Sequence, residues 1–276
     1  MKFVNKKLKI GVSVLAVFLI LGFIVPLFGP ENPTEWGAYL KNMPPSSEHL
    51  LGTTSLGQDT FFLLAHSINN SFKIGIAVSL IATAAGVFLG LIAGFKSGLI
   101  DRLISLLTDS FIVIPSLPIL ILLSSFLKGT ASVSFIVAIL ALFSWPLPAR
   151  QVRSMALSLR ERESINMALF SGESMVKIIV REIFPYISGW TLANFVNGIL
   201  AAIAAESTLA VIGMSSNSTA TLGTMIYWAN QYQAMLGGRW LWIGTPVVAT
   251  VIIFISLFLT MNGYQEYMAK RRGKNA

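Results

Sequence analysis

Two carboxylates stand inside long apolar stretches of the sequence and are the residues best suited to chemistry within a membrane. Asp109 precedes Ile114-Pro115, and Glu206 lies between Ala205 and Ser207. Because burying an ionised carboxylate in hydrocarbon is costly, such residues are functional candidates by default, and a proton relay is the chemistry that they would serve. The alternative, which we favour, is that both form hydrogen bonds that pack helices or border a gate. We expect neither to be catalytic.

The remaining reactive residue types indicate no catalytic or metal centre. The sequence contains no cysteine and no Gly-x-x-x-x-Gly-Lys-Ser/Thr motif, so thiolate chemistry and a phosphate-binding loop are not expected. The two histidines, His49 and His66, fall in or near one polar stretch. Solvated histidines are the more common case, and metal binding by these two would be relevant only for a nickel chelate as the transported solute. We therefore expect no metal site and no cofactor bound by this chain.

A polar segment, residues 150–185, interrupts the apolar sequence. It combines six Lys or Arg and four Glu with apolar residues that could form one buried side, namely Met155, Leu159, Ile165, Leu169, Ile178 and Ile179. The pattern predicts two helices, over 152–171 and 173–183, joined at Gly172, because glycine reaches positive φ without steric cost. The segment is either a solvated loop with amphipathic helices or a docking element for a soluble partner.

Two groups of residues carry a resemblance to a known family. The polar segment resembles the cytoplasmic loop of binding-protein-dependent ABC importer permeases, whose signature has Glu-Ala-Ala, a Gly four residues later and then Leu-Pro. Here these read Asn166-Met167-Ala168, Gly172 and Phe184-Pro185. Residues 49–53 (His-Leu-Leu-Gly-Thr) and 56–59 (Leu-Gly-Gln-Asp) resemble a pattern of the C-type subunit of dipeptide, oligopeptide and nickel permeases, with Gln58 in place of the usual Arg.

The resemblance implies how the chain works and with what. It implies a permease that pairs with a second, similar permease and two ATPase subunits, which use ATP and Mg, and that receives its solute from an external binding protein. The ATPase-coupling residues would be Glu161, Glu163, Asn166, Ala168, Leu169, Gly172 and Pro185. The solute would be a peptide, with an oligosaccharide or a nickel chelate as alternatives. The alternative from another class is a stand-alone secondary transporter or channel that uses Asp109 and Glu206.

Six apolar stretches that are long enough to cross a membrane position these residues. They are residues 10–28, 74–95, 103–127, 131–149, 187–213 and 241–263. The second contains Gly86, Gly90 and Gly94 at four-residue spacing, so all three share one face and would let another helix approach closely. Pro115 and Pro118 predict a kink in the third.

Composition and charge place these stretches in a membrane. The chain is 54% hydrophobic and 12% charged, against about 25% charged residues in soluble domains. In a six-span topology that starts in the cytoplasm, only Lys41, Lys128 and Arg239 of the 20 Lys and Arg lie on the external side, and Lys73 lies at the boundary. This asymmetry predicts that both termini are cytoplasmic. The basic residues that give the net charge of +8 lie beside the apolar stretches. This pattern is typical of a protein in contact with membrane lipid and not of one that binds nucleic acid.

The sequence therefore predicts an all-α integral membrane protein with six transmembrane helices, similar to the permeases of type I ABC importers. Residues 1–71 would comprise the cytoplasmic N-terminus, the first span and an external loop. Residues 72–276 would form a core of five spans that includes the polar segment. Residues 30–71 and 214–240 are expected outside.

Overall fold

The computed structural model describes residues 6–96, 98–127, 132–216 and 218–272, without the side chains of residues 124, 126, 127, 169 and 270–272. The short turn that the sequence predicts between the third and fourth apolar stretches, around Lys128-Gly129, lies outside these residues. The helices are α1 (Lys6–Phe23), α2 (Thr60–Lys96), α3 (Gly98–Val113), α4 (Ser116–Leu127), α5 (Val133–Ser144), α6 (Pro146–Arg160), α7 (Glu163–Phe170), α8 (Met175–Ile178), α9 (Phe184–Val211), α10 (Leu222–Gln231) and α11 (Trp240–Arg272). A 3₁₀ turn, Val25–Phe28, follows α1, and a π-helical turn, Ile179–Ile183, joins α8 to α9.

The all-helical membrane fold is confirmed. Within the described residues, five helical stretches are long and apolar enough to cross a membrane, namely Lys6–Phe28, Thr60–Lys96, Val133–Arg160, Met175–Val211 and Trp240–Ala269. The predicted third span is a pair, α3 and α4, bent by 79°. Pro115 lies in the break, where a proline and the restriction that it places on the preceding residue stop the helix. Counting the bent pair as one span gives six.

The second span is longer than predicted and begins at Thr60 rather than at residue 74. Its first part carries His66, Asn70 and Ser71, and so it reads as a polar loop in the sequence. The structure uses these polar groups in packing: Asn70 donates from its side chain to the Ala220 carbonyl (2.8 Å), and the Ser71 hydroxyl accepts from the backbone N–H of Leu222 (3.0 Å). The division predicted at residue 71 therefore falls inside α2.

The central element of the molecule is α2, which contacts α1, α3, α5, α6, α9 and α10. Its apolar residues enter three buried clusters along its length. The first lies near its start, with Ile68 and Phe72; the second lies around Ile74 and Val78; and the third lies near its end, with Leu91 and Phe95. The third cluster includes residues of the polar segment, so the packing of α2 places that segment.

Candidate functional site

The polar segment consists of α6 from Arg150 onward, then α7, α8 and the π-helical turn that leads into α9. The helix predicted over 152–171 is broken at Glu161-Arg162. Leu159 before the break and Ile165 after it are both buried in the same apolar cluster. On one continuous helix, side chains six residues apart would point about 120° away from each other. The break lets both side chains enter the cluster.

Gly172 ends α7 in the left-handed conformation, with φ +77. The backbone N–H of Glu173 donates to the carbonyl of Ala168 (3.1 Å), which is the six-residue hydrogen bond of a Schellman motif. A Cβ at position 172 would meet no atom within 4 Å. The demand for glycine here is therefore one of backbone conformation and not of space.

The other residues that the resemblance assigns to ATPase coupling lie mostly on the surface. Glu161, Glu163, Asn166 and Pro185 are exposed, and Ala168 is half-buried. The side chain of Leu169 lies outside the described residues. Beside them, Met167 is 64% and Phe170 is 92% exposed. Phe170 was not among the residues predicted for the site, although an aromatic residue two positions before Gly172 was available as a signal.

The glycines of α2 lie directly against α6. A methyl group on Gly86 would lie 2.5 Å from Pro148 Cβ, and one on Gly90 would lie 2.5 Å from the carbonyl oxygen of Ala149. For Gly94 the nearest atom is Cβ of Ala156, at 2.6 Å. These distances are too short for any side chain, so the two helix backbones are in contact.

Two ion pairs join α3 to α6. Arg153 forms a bidentate pair with Asp101, in which Nη2 lies 2.8 Å from Oδ2. Asp109, one of the two predicted intramembrane acids, lies 3.5 Å from Nη1 of Arg150, and both side chains are about 60% exposed. Asp101 could not be identified from the sequence, because an acid in the first turn of a helix is common and its partner Arg153 is 52 residues away.

The second predicted intramembrane acid, Glu206 of α9, is fully buried. Its Oε1 accepts from the hydroxyls of Ser215 (3.0 Å) and Thr221 (2.9 Å). Thr221 is also the N-cap of α10, within a capping box formed with Thr224. Among the described residues Oε2 has no hydrogen-bond partner. Glu206 therefore ties the end of α9 to the start of α10 through the intervening loop.

The loop motif at residues 49–59 builds the connection from α1 to α2. Nδ1 of His49 lies 2.7 Å from Oδ2 of Asp59, and both residues are buried. The other carboxylate oxygen of Asp59 accepts from the backbone N–H groups of Phe61 (2.9 Å) and Phe62 (3.0 Å), which caps α2. Gly52 and Gly57 have φ +72 and +75.

Gln58 stands where the C-type permease subunits that residues 56–59 resemble usually have Arg, and it also has a structural role. Its side-chain amide donates to the carbonyl of Thr34 (2.9 Å). His66 lies apart from His49, within α2. Among the described residues, no three His, Cys, Asp or Glu side chains come together as metal ligands would.

Comparison with known proteins places this architecture in a family. Residues 86–274 match the family model described as "Binding-protein-dependent transport system inner membrane component". The match covers the third apolar cluster, the whole polar segment and Glu206.

Several relatives align with nearly the whole chain. The "Oligopeptide transport system permease protein OppC" of Lactococcus lactis subsp. lactis (strain IL1403) is 30% identical over 250 residues, covering 90% of this chain and 85% of the relative. The protein of the same name in Mycobacterium tuberculosis (strain ATCC 25618 / H37Rv) is 28% identical over 263 residues (95% and 89%). The "Dipeptide transport system permease protein DppC" of Bacillus subtilis (strain 168) is 29% identical over 264 residues (95% and 81%).

Proposed function

Because the chain belongs to the family of binding-protein-dependent transport system inner membrane components, we propose that it is the membrane-spanning subunit of an ATP-driven importer of peptides. The names of the oligopeptide and dipeptide permeases that align along almost all of its length support the peptide as solute. An external binding protein would deliver the peptide. A second, similar permease would complete the path through the membrane.

The exposed apolar surface of α7 is the observation that carries this proposal. Ile165 is 1% exposed and anchors α7 to the third apolar cluster, whereas Phe170 is 92% exposed. A fully exposed aromatic side chain on a short, well-anchored helix is typical of an interface anchor that fills a pocket of a partner. We assign the partner to the ATPase, with one copy on this chain and a second on the other permease.

Transmission of the ATPase movement follows from the way α7 is held. Ile165 and Leu159 fix α7 to α6, and α6 lies in backbone contact with α2 along the three glycines. Closure of the ATPases around ATP and Mg would displace α7, and the rigid contact would pass the displacement to α2 at the centre of the bundle. The spans would then exchange outward-open and inward-open arrangements.

Docking on α7 is tested by Phe170→Ala in the complete transporter, expressed with all of its partners. Loss of a buried aromatic anchor weakens an interface by at least about tenfold, so less ATPase should co-purify with the variant. Phe88→Ala is the matched control, because Phe88 is also exposed (64%) but lies in the membrane-spanning α2. Normal ATPase recovery with Phe170→Ala would contradict this docking site.

Coupling is separated from docking in the same experiment by Gly172→Val. Valine at φ +77 strains the turn by about 1–3 kcal/mol, which misplaces α7 without removing its contact surface. We expect the ATPase to co-purify at least in part, while most substrate-stimulated ATP hydrolysis and peptide uptake is lost. Gly172→Asn, which tolerates the left-handed conformation, should keep both. Normal uptake by Gly172→Val in an intact complex would rule out a coupling role for the turn at Gly172.

A further inference from the structure

A cavity of about 630 Å³ lies where α2 and α11 begin. Thr60 and Trp240, the first residues of these two membrane-spanning helices, both line it. Because Trp240 directly precedes the apolar stretch 241–263, the cavity lies where α11 enters the membrane. Its remaining walls come from the loop before α2, including Asn42, and from residues around the start of α11, including Arg239, Leu241 and Trp242.

Arg239 is the one charged residue among those that line the cavity in the described part of the chain. It is half-buried, and its two terminal nitrogens donate to neutral oxygens, Oδ1 of Asn42 (3.1 Å) and the carbonyl of Tyr232 (3.2 Å). Its Nε–H is buried without an acceptor, and no carboxylate pairs with it, within the described ranges. A cation that is partly removed from water and has only neutral partners favours the approach of an anion.

An apolar stripe continues from the cavity along α11. Leu241 belongs to both, and Val248 and Ile255 follow it at seven-residue spacing, with exposures of 43%, 55% and 53%. The stripe runs over about 21 Å at 1.5 Å per residue, which covers most of the depth of a hydrocarbon core. An acyl chain reaches about half of that depth, so the stripe is long enough to contact such a chain along its whole length.

We infer that this cavity holds the headgroup of an anionic phospholipid, whose acyl chains lie along the stripe on α11. The phosphate provides the anion that Arg239 lacks, and Trp240, which is 58% exposed, takes the position at the interface that tryptophan favours. A peptide carboxylate or a free phosphate would satisfy Arg239 but would leave the stripe uncovered. The inference does not depend on the proposed transport function, since it concerns the boundary of the spans alone.

The test is lipid retention by the complete transporter in bilayers of equal phosphatidylglycerol and phosphatidylcholine with the same acyl chains. After extraction into detergent, we expect phosphatidylglycerol to be enriched on the wild type and the enrichment to fall about fivefold in Arg239→Gln. Arg239→Lys should retain most of it. Lys41→Gln is the matched control, because Lys41 is an exposed cation that directly precedes the lining residue Asn42 but does not itself line the cavity.

Three results would overturn the site: no enrichment on the wild type, equal enrichment on Arg239→Gln, or an equal loss in Lys41→Gln. Soluble glycerol phosphate, added during extraction, separates the headgroup from the lipid. Displacement of phosphatidylglycerol by millimolar glycerol phosphate would mean that the headgroup alone supplies the affinity and that the stripe on α11 adds nothing, against the inference.

A second measurement applies even if Arg239→Gln fails to assemble. Brominated acyl chains quench nearby tryptophans, so brominated phosphatidylglycerol should quench the wild-type transporter more than brominated phosphatidylcholine does. Trp240→Phe should remove most of that difference, because Trp240 is 58% exposed at the cavity, whereas Trp242 in the same wall is 2% exposed. Equal quenching by the two lipids in the wild type would exclude preferential binding.

Discussion

A proton-driven and an ATP-driven transport mechanism require different behaviour of the Glu206 carboxylate. A proton relay requires its carboxylate to gain and lose a proton during each cycle. The structure gives Glu206 a static task, since one oxygen holds two hydroxyls that belong to the loop before α10 and to the cap of α10. Asp109, the other acid considered for a relay, pairs instead with Arg150 at an exposed position.

Substitution of Glu206 distinguishes the two mechanisms. Glutamine keeps an oxygen acceptor, so Glu206→Gln should retain peptide uptake and thermal stability close to the wild type. Glu206→Ala leaves the hydroxyls of Ser215 and Thr221 buried without their acceptor, which should destabilise the protein by about 2–5 kcal/mol. The measurements are uptake in reconstituted vesicles and the midpoint of unfolding in detergent. A stable Glu206→Gln that has lost uptake would favour the relay.

Single residues of the site differ in how far the sequence could identify them. Gly172 was predicted as a turn because a positive φ has a local chemical signature. The partners of Glu206 could not be predicted, because serine and threonine are abundant in residues 214–240 and the choice among them depends on how the loop folds back. The break at Glu161-Arg162 was missed for a similar reason: it depends on the burial of Ile165 by distant residues.

The pairing of α2 with α6 is the contact between elements on which the proposed mechanism depends. The three glycines place no side chain of their own between α2 and α6 on this face, and the Arg153–Asp101 pair joins α3 to α6. Small residues let helices in a membrane approach until backbone atoms touch, which gains dispersion contacts that lipid cannot provide. The pair should therefore move as one body.

Gly90→Leu tests this contact. The first added carbon would lie 2.5 Å from a backbone oxygen of α6 and 2.8 Å from Val152 Cβ, so the helices must separate, at a cost of about 1–3 kcal/mol. We expect a lower midpoint of thermal unfolding in detergent and reduced uptake. Ala84→Leu is the control, since Ala84 is exposed on the same helix. An unchanged midpoint and unchanged uptake in Gly90→Leu would mean that the glycine face has another neighbour.

The elements were predictable wherever apolar length decided the outcome. Length and composition located the spans, and Pro115 located the bend between α3 and α4. They failed at the start of α2, where buried hydrogen bonds to residues 220 and 222 make polar residues part of a span. They also failed at α6, which runs on from the fourth span to Arg160, because a helix that leaves the membrane loses its apolar signal before it ends.

At the scale of the whole molecule, the length of α2 separates the loop of residues 29–59 from the polar segment. Its 37 residues extend about 55 Å at 1.5 Å per residue, well beyond a hydrocarbon core of about 30 Å. The folded loop of residues 29–59 lies at its first residue, and the polar segment packs at its last, where Arg160 lies over the ring of Phe95. We therefore expect the loop and the polar segment to face opposite sides of the membrane, whichever way the protein is inserted.

The charge distribution predicts the direction of insertion, and single cysteines test this prediction. The chain has no cysteine, so Ser171→Cys in the polar segment and Ser47→Cys in the loop each provide one exposed thiol on a serine of similar exposure. Because basic residues are retained on the cytoplasmic side, an impermeant maleimide added to intact cells should label Ser47→Cys and should reach Ser171→Cys only after permeabilisation. The reverse pattern would place the polar segment outside, away from ATP, and would contradict the proposed coupling to a cytoplasmic ATPase. Labelling of both thiols in intact cells would contradict the separation of the two regions by α2 itself.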